Sequence, residues 1–219
     1  MTPDKQNFKD STKLTRWTKG LLYCLIAASI LGMVTNFLEY QLLRDIEKGV
    51  YFTDAKLQAD AQANEFRQAI AGIISALVFI VSGVLVLIWI YRANYNARQL
   101  GEYMEYSPGW SVGWYFIPIA NLWKPYQAMK EIWECSSDPN NRRAVASSKL
   151  LPWWWFLWLA WNISTNFSMR YSDQAEEIED FINANLISQL SHVFAIPLCI
   201  ILIVIIKRIH QIQTSRASG

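Results

Sequence analysis

Paired metal ligands are what this sequence lacks first. Its three cysteines, Cys24, Cys135 and Cys199, lie far apart, and it has only two histidines. Zinc sites draw on Cys and His at short spacings, and disulfide frameworks on a set of paired cysteines, so neither a metal site nor such a framework is indicated. Charge is scarce too. Only 17% of residues are Asp, Glu, Lys or Arg, below the roughly 25% of a typical soluble domain. The net charge of +2 is too small for a nucleic-acid-binding face, so that partner class is set aside. No nucleophile–base set stands out and no cofactor is called for, so a non-enzymatic role is expected.

What the chain does have is apolar length. Residues 21–38 carry no charge and follow Lys13, Arg16 and Lys19. A signal peptide has a shorter apolar region and a small-residue cleavage site. This run approaches the ~20 residues a spanning helix needs, so it reads as an anchor that stays. Three more runs follow, at 69–90, 150–167 and 186–206. Pro152 is tolerable in the first turn of the third, whereas Pro197 falls inside the fourth, where a kink is expected.

Lys and Arg orient these spans. Residues 1–20 carry five of them, residues 39–68 four against six acids, and residues 91–149 seven. Residues 168–185 have only Arg170 against five acids, and three basic residues follow Ile206. The alternation fits four spans with both termini cytoplasmic in the cell's plasma or inner membrane. The expected class is therefore an all-α membrane protein. Its layout is a cytoplasmic tail at 1–20, one four-helix domain at 21–208 and a second tail at 209–219. The stretch 110–133 is basic on both flanks, so it is expected to re-enter or lie on the cytoplasmic surface, within an interfacial segment at 108–134.

Residues 1–12 are polar and expected to be free of structure. The first helix is expected to run past the bilayer to Gly49, and Thr53 or Asp54 to cap a helix that feeds the second span. Asp173 and Glu176 have capping-box spacing before the fourth span. Ala28/Gly32 and Gly72/Ala76 stand four apart, a spacing that lets helices approach closely in lipid. Trp153, Trp154 and Trp155 suit an interfacial belt, and Trp158 and Trp161 lie deeper, where they should pack on other helices. In the fourth span Asn185, Gln189 and His192 share one face. With Asn36, Asn162 and Asn166 they form a candidate polar cluster, expected to hydrogen-bond between helices, with His192 as the sharper proton or ligand candidate.

The central stretch, 92–125, concentrates the unusual chemistry. After the second span the helix should continue, with Arg92 and Asn96 on one face and Arg98 paired to Glu102. Ser107-Pro108-Gly109 signals a turn. Trp110, Trp114, Phe116, Ile117 and Trp123 then enter the interface, broken by Pro118, whose ring disfavours helix at Ile117. The Asn121 amide is expected to satisfy the freed carbonyl, and Pro125 to open a new helix. In that helix Tyr126, Met129 and Trp133 face inward, while Gln127, Lys130, Glu131 and Glu134 face water. Asp138 should cap the turn before the third span. The candidate binding residues are Arg92, Asn96, Trp110, Trp114, Pro118, Asn121 and Lys124.

These residues carry a resemblance. Arg92, Asn96, Leu100, Gly101, Ser107, Pro108, Trp110, Trp114, Phe116, Pro118, Asn121, Leu122 and Pro125 make a pattern similar to the bacterial family called domain of unknown function 4328. That resemblance implies a four-pass protein of the bacterial inner membrane and supplies no catalytic residues. Three functions then compete. The first is a scaffold or regulatory module for a membrane protein partner or a second copy. The second is a channel or small transporter with a cytoplasmic vestibule lined by 110–125. The third is a lipid-binding or lipid-active protein, with Arg92, Arg98 and Lys124 near headgroups.

Overall fold

The computed structural model describes residues 7–100, 104–137 and 148–218, and no strand occurs among them. Four long helices carry the chain: α1 (Thr12–Glu47), α2 (Asp54–Leu100), α5 (Leu150–Asp173) and α6 (Ile178–Ser218), with α3 (Pro108–Gly113) and α4 (Lys124–Ser137) between α2 and α5. At 1.5 Å per residue, the 36 residues of α1 and the 47 of α2 give roughly 54 and 70 Å. Both exceed a ~30 Å hydrocarbon core.

The helix ends follow local chemistry. The Asp10 carboxylate accepts from the Thr12 N–H and hydroxyl at 2.8 and 2.6 Å, which opens α1 and holds the Asp10 carboxyl below its ordinary pKa. Gly49, at φ 67°, closes it. Its N–H reaches the Ile46 carbonyl, and the Val50 N–H the Asp45 carbonyl, a Schellman pair. Thr53 precedes α2 as expected. Asp173, however, ends α5 instead of capping α6; the Asp180 carboxylate takes the Glu176 and Glu177 N–H groups. The predicted Asp138 cap and the Arg98–Glu102 pair involve residues outside those described.

Helices α1, α2 and α6 are long and apolar enough to cross a membrane. Helix α5, which contains the run 150–167, is not among them; its 24 residues include five Trp and two Asn, which lower its hydropathy. Large apolar side chains point outward along all four long helices, among them Val34, Leu77, Ile163 and Val193. Exposed apolar surface of that extent marks contact with a membrane or with other protein.

The chain divides into two compact units. The first comprises Met1–Leu22, Val81–Phe156 and Ile200–Gly219. Its core includes Trp89, Ile90, Met104, Met129, Ile132, Leu151 and Ile206, each at most 2% exposed. Two of its buried side chains bond across helices: Trp89 Nε1 donates to Thr15 Oγ1 at 3.0 Å, and Gln213 Nε2 to Ser136 Oγ and the Ala93 carbonyl, both at 2.9 Å. The expected aromatic belt is corrected here. Trp153 is 61% exposed, but Trp154 and Trp155 are 2% and 8% exposed and pack inside the protein.

The second unit comprises Tyr23–Ile80 and Leu157–Cys199. A Cβ on Gly32 would lie 2.5 Å from the His192 ring, so α1 and α6 approach closely because that position is glycine. Gly72 meets nothing within 4 Å, and the buried small residue of that turn is Ala71. The small-residue reading thus holds for α1 and is corrected for α2. Trp161 packs on Phe79 with ring centroids 5.3 Å apart.

Candidate functional site

The first unit contains an elbow, residues 104–137, built around the peptide Met104–Tyr106. Helix α2 delivers Asn94 and Arg98 to one edge of that peptide, one turn apart. Asn94 Nδ2 donates to the Tyr106 carbonyl at 3.0 Å; Arg98 Nη2 donates to the Met104 and Tyr106 carbonyls at 2.8 Å each. Helix α4 delivers Glu131 to the other edge, where its carboxylate accepts the Glu105 and Tyr106 N–H groups at 2.6 and 3.0 Å. Side chains therefore do for this peptide what neighbouring strands do in a sheet, satisfying donors and acceptors on both edges. Glu131 is only 8% exposed, which corrects its expected place on the water-facing side of α4.

Around this clamp the aromatic segment turns. The Ser107 side chain accepts the Trp110 N–H at 3.2 Å, and Pro108 opens α3. Trp110 stacks on Trp114 with centroids 4.6 Å apart. Ile117, before Pro118, is extended at φ −102° and ψ 109°. The carbonyl that Pro118 deprives of its helical donor is that of Trp114, and it accepts the Ile117 N–H at 3.4 Å, not the Asn121 amide as expected. The Ile117 carbonyl accepts the Asn121 backbone N–H at 2.8 Å, and Asn121 Oδ1 and Trp114 Nε1 are buried without a partner. Lys124 Nζ donates to the Tyr106 hydroxyl at 3.1 Å, and that bond raises the Lys124 pKa. The same ammonium sits 5.1 and 5.6 Å from the ring centres of Tyr106 and Trp114. Trp155 Nε1 ties the segment to α5 through the Leu122 carbonyl at 3.0 Å.

The elbow presents its apolar residues outward. Phe116 and Ile119 are each 72% exposed, and Trp110, Leu122 and Trp123 are exposed beside them. Asn96 belongs to a different contact: its amide donates to the Lys9 carbonyl at 2.9 Å and accepts the Lys9 N–H at 3.1 Å. The expectation of a free polar tail is thus corrected from residue 7 onward. Arg92 is half-buried one turn earlier on α2.

In the second unit a polar network centres on Glu39, which sequence reasoning passed over because it lies just past the uncharged run. Its carboxylate accepts Asn64, Gln68 and Asn185 amides at 3.2, 3.0 and 2.7 Å. Asn36 Nδ2 donates to Ser188 Oγ at 2.9 Å, and Gln189 Nε2 to Asn185 Oδ1 at 2.8 Å. Of the six candidates for this cluster, Asn36, Asn185 and Gln189 join it. Asn162 and Asn166 instead donate to carbonyls one turn back on α5, and His192 lies against Gly32. Among the described residues the ion pairs are Arg44–Glu47 and Lys130–Glu134, so amides and not a cation hold Glu39. No group of three or more His, Cys, Asp or Glu suited to a metal occurs among the described residues.

No curated protein and no solved structure matches the chain. The family described as domain of unknown function (DUF4328) matches residues 53–211. That match takes in the elbow and both of its clamping helices, and of the Glu39 network the residues from Asn64 onward but neither Glu39 nor Asn36; the chain belongs to this family.

Proposed function

We propose that this protein is a non-enzymatic module of the inner membrane that holds a partner protein, or a second copy, in the plane of the bilayer. Its four long helices cross the membrane with both termini cytoplasmic, and the elbow is its contact element, seated in the cytoplasmic leaflet. One observation carries this reading. The polar groups of the elbow turn inward, to Tyr106, Glu131 and Arg98, while Trp110, Phe116, Ile119, Leu122 and Trp123 turn outward. A vestibule would instead direct polar groups toward a lumen. Here Lys124 bonds Tyr106 and the Asn121 N–H bonds the Ile117 carbonyl.

The test places nitroxide labels at Phe116→Cys and Ile119→Cys, with the exposed Cys24 replaced by Ser, in reconstituted full-length protein. Both labels should be more accessible to oxygen than to a water-soluble nickel chelate. The double change Phe116→Ser, Ile119→Ser should keep membrane insertion and abolish chemical cross-links to neighbouring membrane proteins. Labels open to the chelate, or cross-links that survive the double change, would refute the proposal.

A further inference from the structure

The Glu39 network borders a cleft of about 360 Å³ that lies wholly within the second unit and is lined by Glu39, Leu43, Asp173, Phe181, Asn185 and Ser188, among others. We propose that this cleft binds a small organic ammonium ion, with Glu39 as its principal anionic contact. This goes beyond the elbow and does not depend on it.

Charge selects the sign of the ligand. Two carboxylates, Glu39 and Asp173, line the space. The amides of Asn64, Gln68 and Asn185 hold the Glu39 carboxylate in position, and Arg67 bonds Asn64 and makes no ion pair with Glu39. The unit as a whole holds 11 Asp and Glu against 5 Lys and Arg, whereas the complete chain is net positive. A field of that sign raises the local concentration of cations.

Ligand chemistry selects the class. A hard metal ion such as calcium takes six to eight oxygens at close range, and no set of three acidic or histidine ligands gathers among the described residues. Leu43, Met169, Phe181 and Ala184 supply apolar wall beside the carboxylates. An alkyl ammonium matches both halves: its N–H groups meet carboxylate and hydroxyl oxygens, and its methylenes meet the apolar wall, with the Phe181 ring open to a cation.

The experiment is calorimetric titration of the full-length protein in lipid nanodiscs with 1,4-diaminobutane, and separately with calcium. Saturable diamine binding is expected, at least about tenfold weaker in Glu39→Gln. Gln retains an oxygen for the surrounding amides. Should that variant fail to fold, Ser172→Trp decides the question, because Ser172 is an exposed residue of the lining that takes no part in the network's hydrogen bonds, and a Trp there occupies the cleft while Glu39 keeps its amide partners. It should abolish the heat and leave the unfolding midpoint of the ligand-free protein unchanged. The proposal is overturned by an absence of saturable diamine binding, by binding that Ser172→Trp leaves intact, or by calcium binding that diamine does not displace.

Discussion

Glu131 is a carboxylate taken almost out of solvent on a helix, where it accepts the two N–H groups of residues 105 and 106. Glu131→Ala leaves the buried Tyr106 N–H and the more exposed Glu105 N–H without their acceptor, a loss of about 1–3 kcal/mol by the cost of an unsatisfied buried group. Glu131→Gln keeps one oxygen and should lose less. Thermal unfolding in detergent measures both; equal midpoints for wild type and the Ala variant would show that the clamp is not structural. Gly32 gives the opposite kind of constraint. A methyl there meets the His192 ring at 2.5 Å, so Gly32→Ala should destabilise by ~1–3 kcal/mol through overpacking. Adding His192→Ala should restore part of the loss, since the two positions share one space. Gly32 was legible in the sequence, from small-residue spacing. Glu131 was not, because helical periodicity assigns a face but cannot show that a peptide 25 residues upstream presents its N–H groups there.

At the scale of elements, the helix ends were legible wherever a local signal acts alone: Gly49 with its positive φ, Thr53 before α2, and Ser107-Pro108 opening α3. The N-terminal segment was not, since its order comes from contacts with α2 and α6 that are distant in sequence. Lys9 pairs with Asn96, and Ser11 Oγ lies 3.2 Å from His210 Nδ1. This packing makes the segment sensitive to pH. Burial lowers the His210 pKa from its ordinary 6.5, with Lys19 adding to the effect and Asp10 opposing it. The unfolded chain therefore binds the proton more readily than the folded one. The stability from neutral His210 is complete above pH 6.5 and is lost as pH falls through the lowered folded value. Amide exchange at residues 9–15 should accelerate as pH drops from about 7 to about 5, after correction for the intrinsic rate. His210→Gln should flatten that dependence; an unchanged profile in the variant would assign it to other groups.

For the whole molecule, the decisive matter is how many times the chain crosses the bilayer, and that turns on α5. Helices α1, α2 and α6 qualify by length and hydropathy. Three crossings would leave the N-terminal region, with five Lys and Arg in its first 20 residues, and the tail, with three after Ile206, on opposite sides. That arrangement violates the preference of basic flanks for the cytoplasm. A fourth crossing by α5 removes the conflict and leaves the acidic segments 39–68 and 168–185 together outside. The helix is long enough to cross, since its 24 residues rise about 36 Å, more than the ~30 Å core. Trp154 and Trp155 are buried in protein, and the Asn162 and Asn166 Nδ2 groups donate to carbonyls on their own helix, which supports the proposed crossing despite the lower hydropathy. Reporter fusions after residue 219 and at the N-terminus should both read cytoplasmic, and an impermeant thiol reagent on intact cells should label Val50→Cys and Gln174→Cys but not Lys124→Cys. Labelling of Val50→Cys without Gln174→Cys would mean that α5 does not cross, and the elbow would then have to be reconsidered as part of a much longer cytoplasmic segment.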